Sequence, residues 1–316
     1  MDQQQVCIHE VGLRDGLQME TQLVPLQTKL HWARLLAASG VGILQAGSFV
    51  HPQRVPQMAD TDELCRLLAR EMPHGVTLSA LVLNEKGVER ALQADVQLLC
   101  MGVSASETHS LKNTRMSVAE ALQRTLGMAQ TALAAGCSVQ VSIQSAFGCG
   151  FEGAVPAERV LHLAAAYLEA GLRHLSLADT AGHATPRQVE ELVTAVMRMD
   201  PQIELTCHLH NTYGAGIANC LAALDAGVRC FETAFGGLGG CPFTRVAGGN
   251  VCTEDLVHLL QRMGLLADFR LDPVLEVTRE AVHVLGKELP GCLYRTGPIR
   301  VGLGGGSPEE FAGSGR

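Results

Sequence analysis

His208-Leu209-His210 sets two imidazoles two residues apart, a spacing that puts both side chains on one side of an extended strand. Two ring nitrogens converging in this way can share a metal ion; equally, they can form a hydrogen-bonded pair of core histidines. Asp15, at the end of another strand-like run, tips the reading toward a metal. Adding Asn250 gives a set of imidazole nitrogen and hard oxygen without thiolate. Such donors favour Mg2+ or Mn2+ over structural zinc, although they also suit Zn2+.

A second feature is Gly236-Gly237-Leu238-Gly239-Gly240-Cys241-Pro242. It has neither the Lys-Ser/Thr of a P-loop nor the spacing of a dinucleotide fingerprint, so a phosphate cradle is set aside. The better reading is a hinged loop presenting one thiol for proton transfer or nucleophilic attack; the alternative is a plain connection with an incidental cysteine. Arg14-Asp15-Gly16 and Asp179-Thr180-Ala181-Gly182 also have ordinary readings, a surface ion pair at a turn and a helix-capping turn. Their positions give them weight.

Those positions follow from the elements that must carry them. Eight short β-like runs, 6–10, 41–46, 76–82, 96–101, 138–144, 174–177, 203–209 and 228–233, alternate with stretches of helical periodicity. The clearest helices cover 117–135 and 186–199. Gly40, Gly136, Gly171 and Gly227 stand just before a strand, where a left-handed residue ends a helix and turns the chain back. This pattern predicts an α/β fold, a (β/α)8 TIM barrel, with a doubly wound sheet as runner-up. A short C-terminal helical extension is expected at 271–285. Residues 1–296 read as one domain and the Gly-rich 297–316 as a flexible tail. In a barrel the catalytic face is where strands end. Arg14 and Asp15, Gln45 and Ser48, Ser104, Ser106 and Glu107, Gln144, Asp179 and Thr180, and His208 and His210 all fall there. Trp32, the only tryptophan, reads as helix packing, and Arg54, Arg66 and Arg70 as solvated charges.

Composition excludes several classes. With 24 Lys+Arg against 32 Asp+Glu, the net charge of -8 argues against a nucleic-acid surface. Aromatic residues, at 4%, are too few for a base-stacking platform. No apolar run approaches the roughly 18 residues of a membrane span, and the start of the chain lacks a signal peptide's basic and apolar regions. A cytoplasmic protein is expected. Eleven cysteines without a CxxC pair speak against disulfide scaffolding and a thiolate zinc site.

Taken together, the strings resemble the hydroxymethylglutaryl-CoA lyase family. The resemblance is carried by Glu10-Val11-Gly12-Leu13-Arg14-Asp15-Gly16-Leu17-Gln18, Ser48-Phe49-Val50 with Val55-Pro56-Gln57-Met58, Asp179-Thr180, and His208-Leu209-His210-Asn211-Thr212-Tyr213-Gly214. The Gly237–Pro242 loop and Gly249-Asn250 followed by Thr253-Glu254-Asp255-Leu256-Val257 complete it. The resemblance runs in order from about residue 6 to 265. It implies a metal-dependent TIM-barrel lyase with Asp15, His208, His210 and Asn250 as ligands of Mg2+ or Mn2+. Arg14 would hold the thioester oxygen as an enolate forms, Cys241 would move a proton at the acetyl carbon, and His208 or Asp179 would act in acid/base work. Arg14, Ser48, Thr180 and Gln18 would bind substrate, and Lys112-Asn113 would lie toward the CoA.

The sequence departs from the family pattern at Gln45, where Glu is usual, and at Asn211, where Asp is usual. Near Thr21 a basic residue is replaced. The two lost carboxylates bear on the metal's surroundings and on which acyl group is accepted. The expected reaction is cleavage of 3-hydroxy-3-methylglutaryl-CoA to acetyl-CoA and acetoacetate, as in leucine degradation. The runner-up is citramalyl-CoA, giving pyruvate and acetyl-CoA. A Claisen-type acyltransferase and a non-catalytic binding barrel are further alternatives. The expected partner is an acyl-CoA, with neither nucleic acid nor membrane, and the expected assembly is a homo-oligomer, a dimer.

Overall fold

Strict alternation along the strands decides which side chains face inward. In Ser138-Val139-Gln140-Val141-Ser142-Ile143-Gln144 the apolar residues occupy one face and the polar residues the other. Only one arrangement satisfies both faces, with helices covering the apolar side and the polar side turned to an enclosed, partly hydrated interior. The computed structural model describes residues 5–240 and 249–299. It has eight parallel strands: β1 (Cys7–Glu10), β2 (Ile43–Ser48), β3 (Thr77–Leu81), β4 (Leu98–Ser104), β5 (Ser138–Gln144), β6 (His174–Ala178), β7 (Glu204–His208) and β8 (Cys230–Thr233). They pair in chain order and β8 pairs with β1, closing the barrel.

The helices are α1 (Leu26–Ser39), α2 (Thr61–Ala69), α3 (Glu85–Gln93), α4 (Glu107–Thr114), α5 (Val118–Ala134) and α6 (Ala157–Glu169). They continue as α7 (Pro186–Met197), α8 (Gly216–Asp225), α9 (Thr253–Arg262), α10 (Leu271–Leu285) and α11 (Leu293–Thr296). Helix boundaries follow local chemistry. Ser117 with Glu120, and Thr185 with Gln188, form reciprocal caps at the starts of α5 and α7. Gly40 ends α1 at φ 107°. The helix expected at 271–285 forms with those bounds. It packs on α1, where Trp32 Nε1 donates to Glu280 Oε2 at 2.8 Å and the Trp32 ring meets Phe235 edge-on at 5.6 Å.

The interior differs from the branched apolar layers that commonly fill such barrels. Ile43, Leu98 and Cys100, packed with Cys7 and Cys230, form an apolar cluster toward the strand starts. Many of the other inward positions are polar, among them His9, Ser79, Gln140, Ser176, Thr206, His208 and Glu232, all buried. The ten described cysteines are free thiols, seven of them buried. Among the described residues no helix is long and apolar enough to cross a membrane. Beyond Ile299, the segment expected as a tail lies outside the described residues.

Close strand packing makes Gly102 intolerant of a side chain, since an added Cβ would run into the Ser142 hydroxyl and carbonyl on β5. Gly102→Ala is expected to lower unfolding free energy by about 2 kcal/mol. Gly127, exposed within α5 with nothing near its Cβ position, should gain about 0.5–1 kcal/mol on replacement by Ala. Denaturant unfolding of both variants checks the pair, and a neutral Gly102→Ala would contradict the packing.

Candidate active site

The turn after β1 is built around one acceptor. The Val11 carbonyl takes the amides of Arg14 (3.0 Å), Asp15 (2.8 Å) and Gly16 (3.3 Å), giving the wide helical turn Gly12–Gly16. Glu10 anchors it. Its Oε1 accepts from Gly12 N at 2.7 Å and Phe235 N at 3.1 Å, and its Oε2 accepts from Thr253 Oγ1 at 2.5 Å. The β1 turn is thereby tied to the segment after β8. That segment returns to the top of β7: Val251 N donates to Leu209 O at 3.1 Å, and His210 and Asn250 bridge antiparallel. Asn250 therefore arrives beside Asp15 although 235 positions separate them.

At the strand ends Asp15, His208 and His210 bring one ligand atom each to within 4.8 Å of one another. His208 Nε2 lies 3.0 Å from His210 Nε2 and 4.0 Å from Asp15 Oδ2. Asn250 Nδ2 donates to Asp15 Oδ2 at 2.8 Å and to the Leu238 carbonyl at 2.9 Å, while its buried Oδ1 has no hydrogen-bond partner among the described residues. A buried oxygen without a partner, on the amide that holds the Asp15 carboxylate, fits a cation-binding group better than a hydrogen-bonded core. Gly239, at φ 107°, leaves the room that Asn250 Nδ2 needs.

The electrostatics agree. Burial works against ionising Asp15, but Arg14, His208, His210 and the Asn250 amide together hold its carboxyl at about 2. Burial keeps His210 neutral, with a pKa of about 4, helped by the neighbouring His208 charge. Burial also opposes a charge on His208, but Glu232 and Asp15 outweigh it and raise its pKa. Arg14 pairs through Nη1 with Asp15 Oδ1 and through Nε with Gln45 Oε1.

A cavity of about 190 Å3 opens beside these groups. Arg14, Asp15, Gln18, Thr180, His208 and His210 line it, as do Gln45, Asn113 and Gly240. The other expected residues fall elsewhere. Ser48 is buried at the end of β2, off the cavity wall. Asp179 is also buried off the wall; its Oδ1 accepts from His183 N at 2.9 Å and its Oδ2 from Ala184 N at 3.1 Å. Burial raises its carboxyl to about 6 against those bonds. Lys112 places its ammonium over the Phe151 ring at 4.3 Å. Ser106 caps α4. Cys241 lies outside the described residues.

One expectation needs correcting. Asn211 is exposed and its Oδ1 accepts from Gly216 N at 2.9 Å, organising the start of α8. Its replacement of Asp therefore changes a helix entry, and only Gln45 alters the charge beside Arg14. Sequence reading also missed Glu232, whose Oε2 lies 2.7 Å from His208 Nδ1. Burial disfavours its charge, yet the His208 hydrogen bond and the charges of His208, His9 and Arg14 hold the carboxyl at about 2. The signal was present: Cys230-Phe231-Glu232 has the same in-out alternation as β5.

The HMGL-like family model matches residues 5–280. The chain belongs to the HMGL-like family. Its relatives within the family include a hydroxymethylglutaryl-CoA lyase of Bacillus subtilis, 37% identical over 90% of this chain and 95% of that protein. They also include the (R)-citramalyl-CoA lyase of Chloroflexus aurantiacus, 36% identical over 93% of this chain and 95% of that protein. Among solved structures of the family, an HMG-CoA lyase from Acinetobacter baumannii in complex with coenzyme A and 3-methylmalate superposes with a TM-score of 0.89. The identity is 35%, with 95% of this chain and 97% of that one covered. The protein is thus a hydroxymethylglutaryl-CoA lyase-like enzyme.

Glu10 gives the site a pH signature. Burial raises its carboxyl from 4.5 to about 7 against the opposing bonds from Thr253, Gly12 and Phe235. Between those values the folded protein binds more proton than the unfolded chain, so stability falls as pH rises through the window. Glu10→Gln, which cannot titrate, should flatten that descent from pH 4.5 to 7 in urea unfolding. An unchanged slope would place the titration on another group.

Proposed function

We propose that the protein is a divalent-metal-dependent carbon–carbon lyase that cleaves 3-hydroxy-3-methylglutaryl-CoA to acetyl-CoA and acetoacetate. The observation that carries this reading is the Asp15–His208–His210 cluster with the Arg14 guanidinium beside one cavity, and Asn250 hydrogen-bonded to Asp15. The coenzyme A complex of the Acinetobacter relative supports an acyl-CoA substrate. A Mg2+ or Mn2+ ion held by these residues would supply Lewis acidity and fixed positive charge to the acyl end.

The residues of the chain divide the remaining work. Breaking the bond between the carbinol carbon and the acetyl carbon sends an electron pair onto the thioester as an enolate. Arg14, on the cavity wall, offers its guanidinium where that charge develops. His208 has one lone pair on Nε2, so as a ligand it leaves the hydroxyl proton to Asp179, which is buried off the cavity wall and would take it through one intervening water. Each Asp179 oxygen accepts one backbone amide and keeps another lone pair, and a pKa of about 6 suits proton exchange near neutrality. Cys241, next to the cavity-lining Gly240, protonates the enolate carbon. Residues 1–296 form the lyase unit in this reading.

Gln45 favours a second reading. A neutral amide against Arg14 leaves the guanidinium with Asp15 as its carboxylate partner. Arg14 is then freer to attract a substrate carboxylate placed directly on the carbinol carbon, as in citramalyl-CoA, which lacks one methylene of the glutaryl compound. The similarity to the Chloroflexus enzyme points the same way.

Acetyl-CoA release from metal-stripped protein, with Mg2+ or Mn2+ restored, is the test for both acyl-CoAs. Metal-restored cleavage of the glutaryl compound is expected. Cleavage of citramalyl-CoA alone transfers the assignment to the second reading, and Gln45→Glu should then favour the glutaryl substrate. Failure on both, with metal present, removes both substrate assignments and leaves another acyl-CoA or a non-catalytic barrel. In the same assay Cys241→Ala and Asp179→Asn should lose about 100-fold or more in turnover with Mn2+ binding intact. A variant that keeps the parental rate removes its residue from proton transfer.

A further inference from the structure

Glu232 occupies a position that no expected catalytic role accounts for. It stands on β8 between β7 and β1, paired in register with His208 on one side and His9 on the other. Its Oε2 lies 2.7 Å from His208 Nδ1. An ionised carboxylate can only accept, so Nδ1 carries the proton in this contact. In a neutral imidazole the lone pair then sits on Nε2, the atom that faces His210 and Asp15. Glu232 is itself restrained. Ser176 Oγ donates to its Oε1 at 3.2 Å, and His9 Nδ1 stands 3.8 Å from the same oxygen. His9 Nε2 is in turn 2.9 Å from Ser79 Oγ.

His210 has no equivalent support. Its Nδ1 is buried with no hydrogen-bond partner among the described residues. The two imidazoles are therefore unequal: one has its tautomer and ring orientation fixed from behind, the other does not. A carboxylate behind a ligating histidine both selects the tautomer and makes the ligand nitrogen more basic.

We propose that Glu232 is the positioning residue of the metal centre, fixing His208 as the Nδ1–H tautomer with its Nε2 lone pair turned to the cation. This rests on the metal reading given above. Its effect is on metal affinity, exerted through His208. Glu232→Gln keeps an acceptor of the same shape; Glu232→Leu removes it.

The test measures Mn2+ affinity by electron paramagnetic resonance in metal-stripped full-length protein and its variants. Ring-nitrogen NMR of histidine-labelled protein, with His208 assigned by substitution and the pH raised until its ring is neutral, reads the tautomer without metal. Glu232→Leu should weaken Mn2+ binding roughly 10–100-fold, and Glu232→Gln should lose less. The unsubstituted protein should show the Nδ1–H form of His208. Parental Mn2+ affinity in folded Glu232→Leu overturns the proposal. If that variant does not fold, an Nε2–H tautomer in the unsubstituted protein overturns it independently. Absence of Mn2+ binding by the unsubstituted protein instead overturns the metal reading itself.

Discussion

The contact between His208 and Glu232 joins two groups that neither strand could bury alone. An ionised carboxylate inside a barrel, away from bulk water, carries a large desolvation cost unless charge and hydrogen bonds surround it. Glu232 meets that condition with His208, Ser176 and His9, contributed by β7, β6 and β1. The requirement fixes the level at which these strands must pair. It also explains why the barrel has a polar interior above its small apolar cluster, with Gln140 bridging to Thr206 and lying 3.2 Å from His174. Misregister would strand a charge, so the polar column contributes specificity as well as a site.

A second network does the same for the loops. Glu10 gathers the Gly12 and Phe235 amides and the Thr253 hydroxyl, and Thr253 Oγ1 lies 2.7 Å from Thr233 Oγ1. The buried Glu254 takes the Gly236 amide at 3.0 Å and the Thr278 hydroxyl at 2.9 Å, linking the same segment to α10. Asp15 and Asn250 thus ride on backbone held by buried carboxylates, the fixed geometry that the proposed metal-ligand set needs. The helix after the barrel takes part in the site through this link, although it contributes no side chain to the cavity wall.

Gln45 shows how one neutral substitution acts in such a setting. The amide still accepts from Arg14, so the guanidinium keeps its position. What changes is charge: where a carboxylate would have shared the cation, Arg14 answers only to Asp15 and to whatever the substrate brings. Orientation and electrostatics separate at this residue, and the proposed citramalyl-CoA reading rests on the second.

The eight-strand barrel, the helix at 271–285, and the gathering of Arg14, Asp15, His208 and His210 at the strand ends were legible in the sequence. Hydrophobic period, capping residues and strand-end position are encoded within a few turns of chain, and the strings around these residues resemble one family closely. Asn211 and Asp179 were legible as polar residues near strand ends, but not as residues engaged by the amides of Gly216 and of His183 and Ala184. Glu232 was hidden because a lone glutamate in a short strand has no local partner. Its meaning arises only when closure brings β7, β8 and β1 to one level. Sequence alone determined which residue types were available and which elements carry them. The tertiary structure decided which of them meet, because register and closure join groups hundreds of residues apart and only pairing makes a buried charge tolerable.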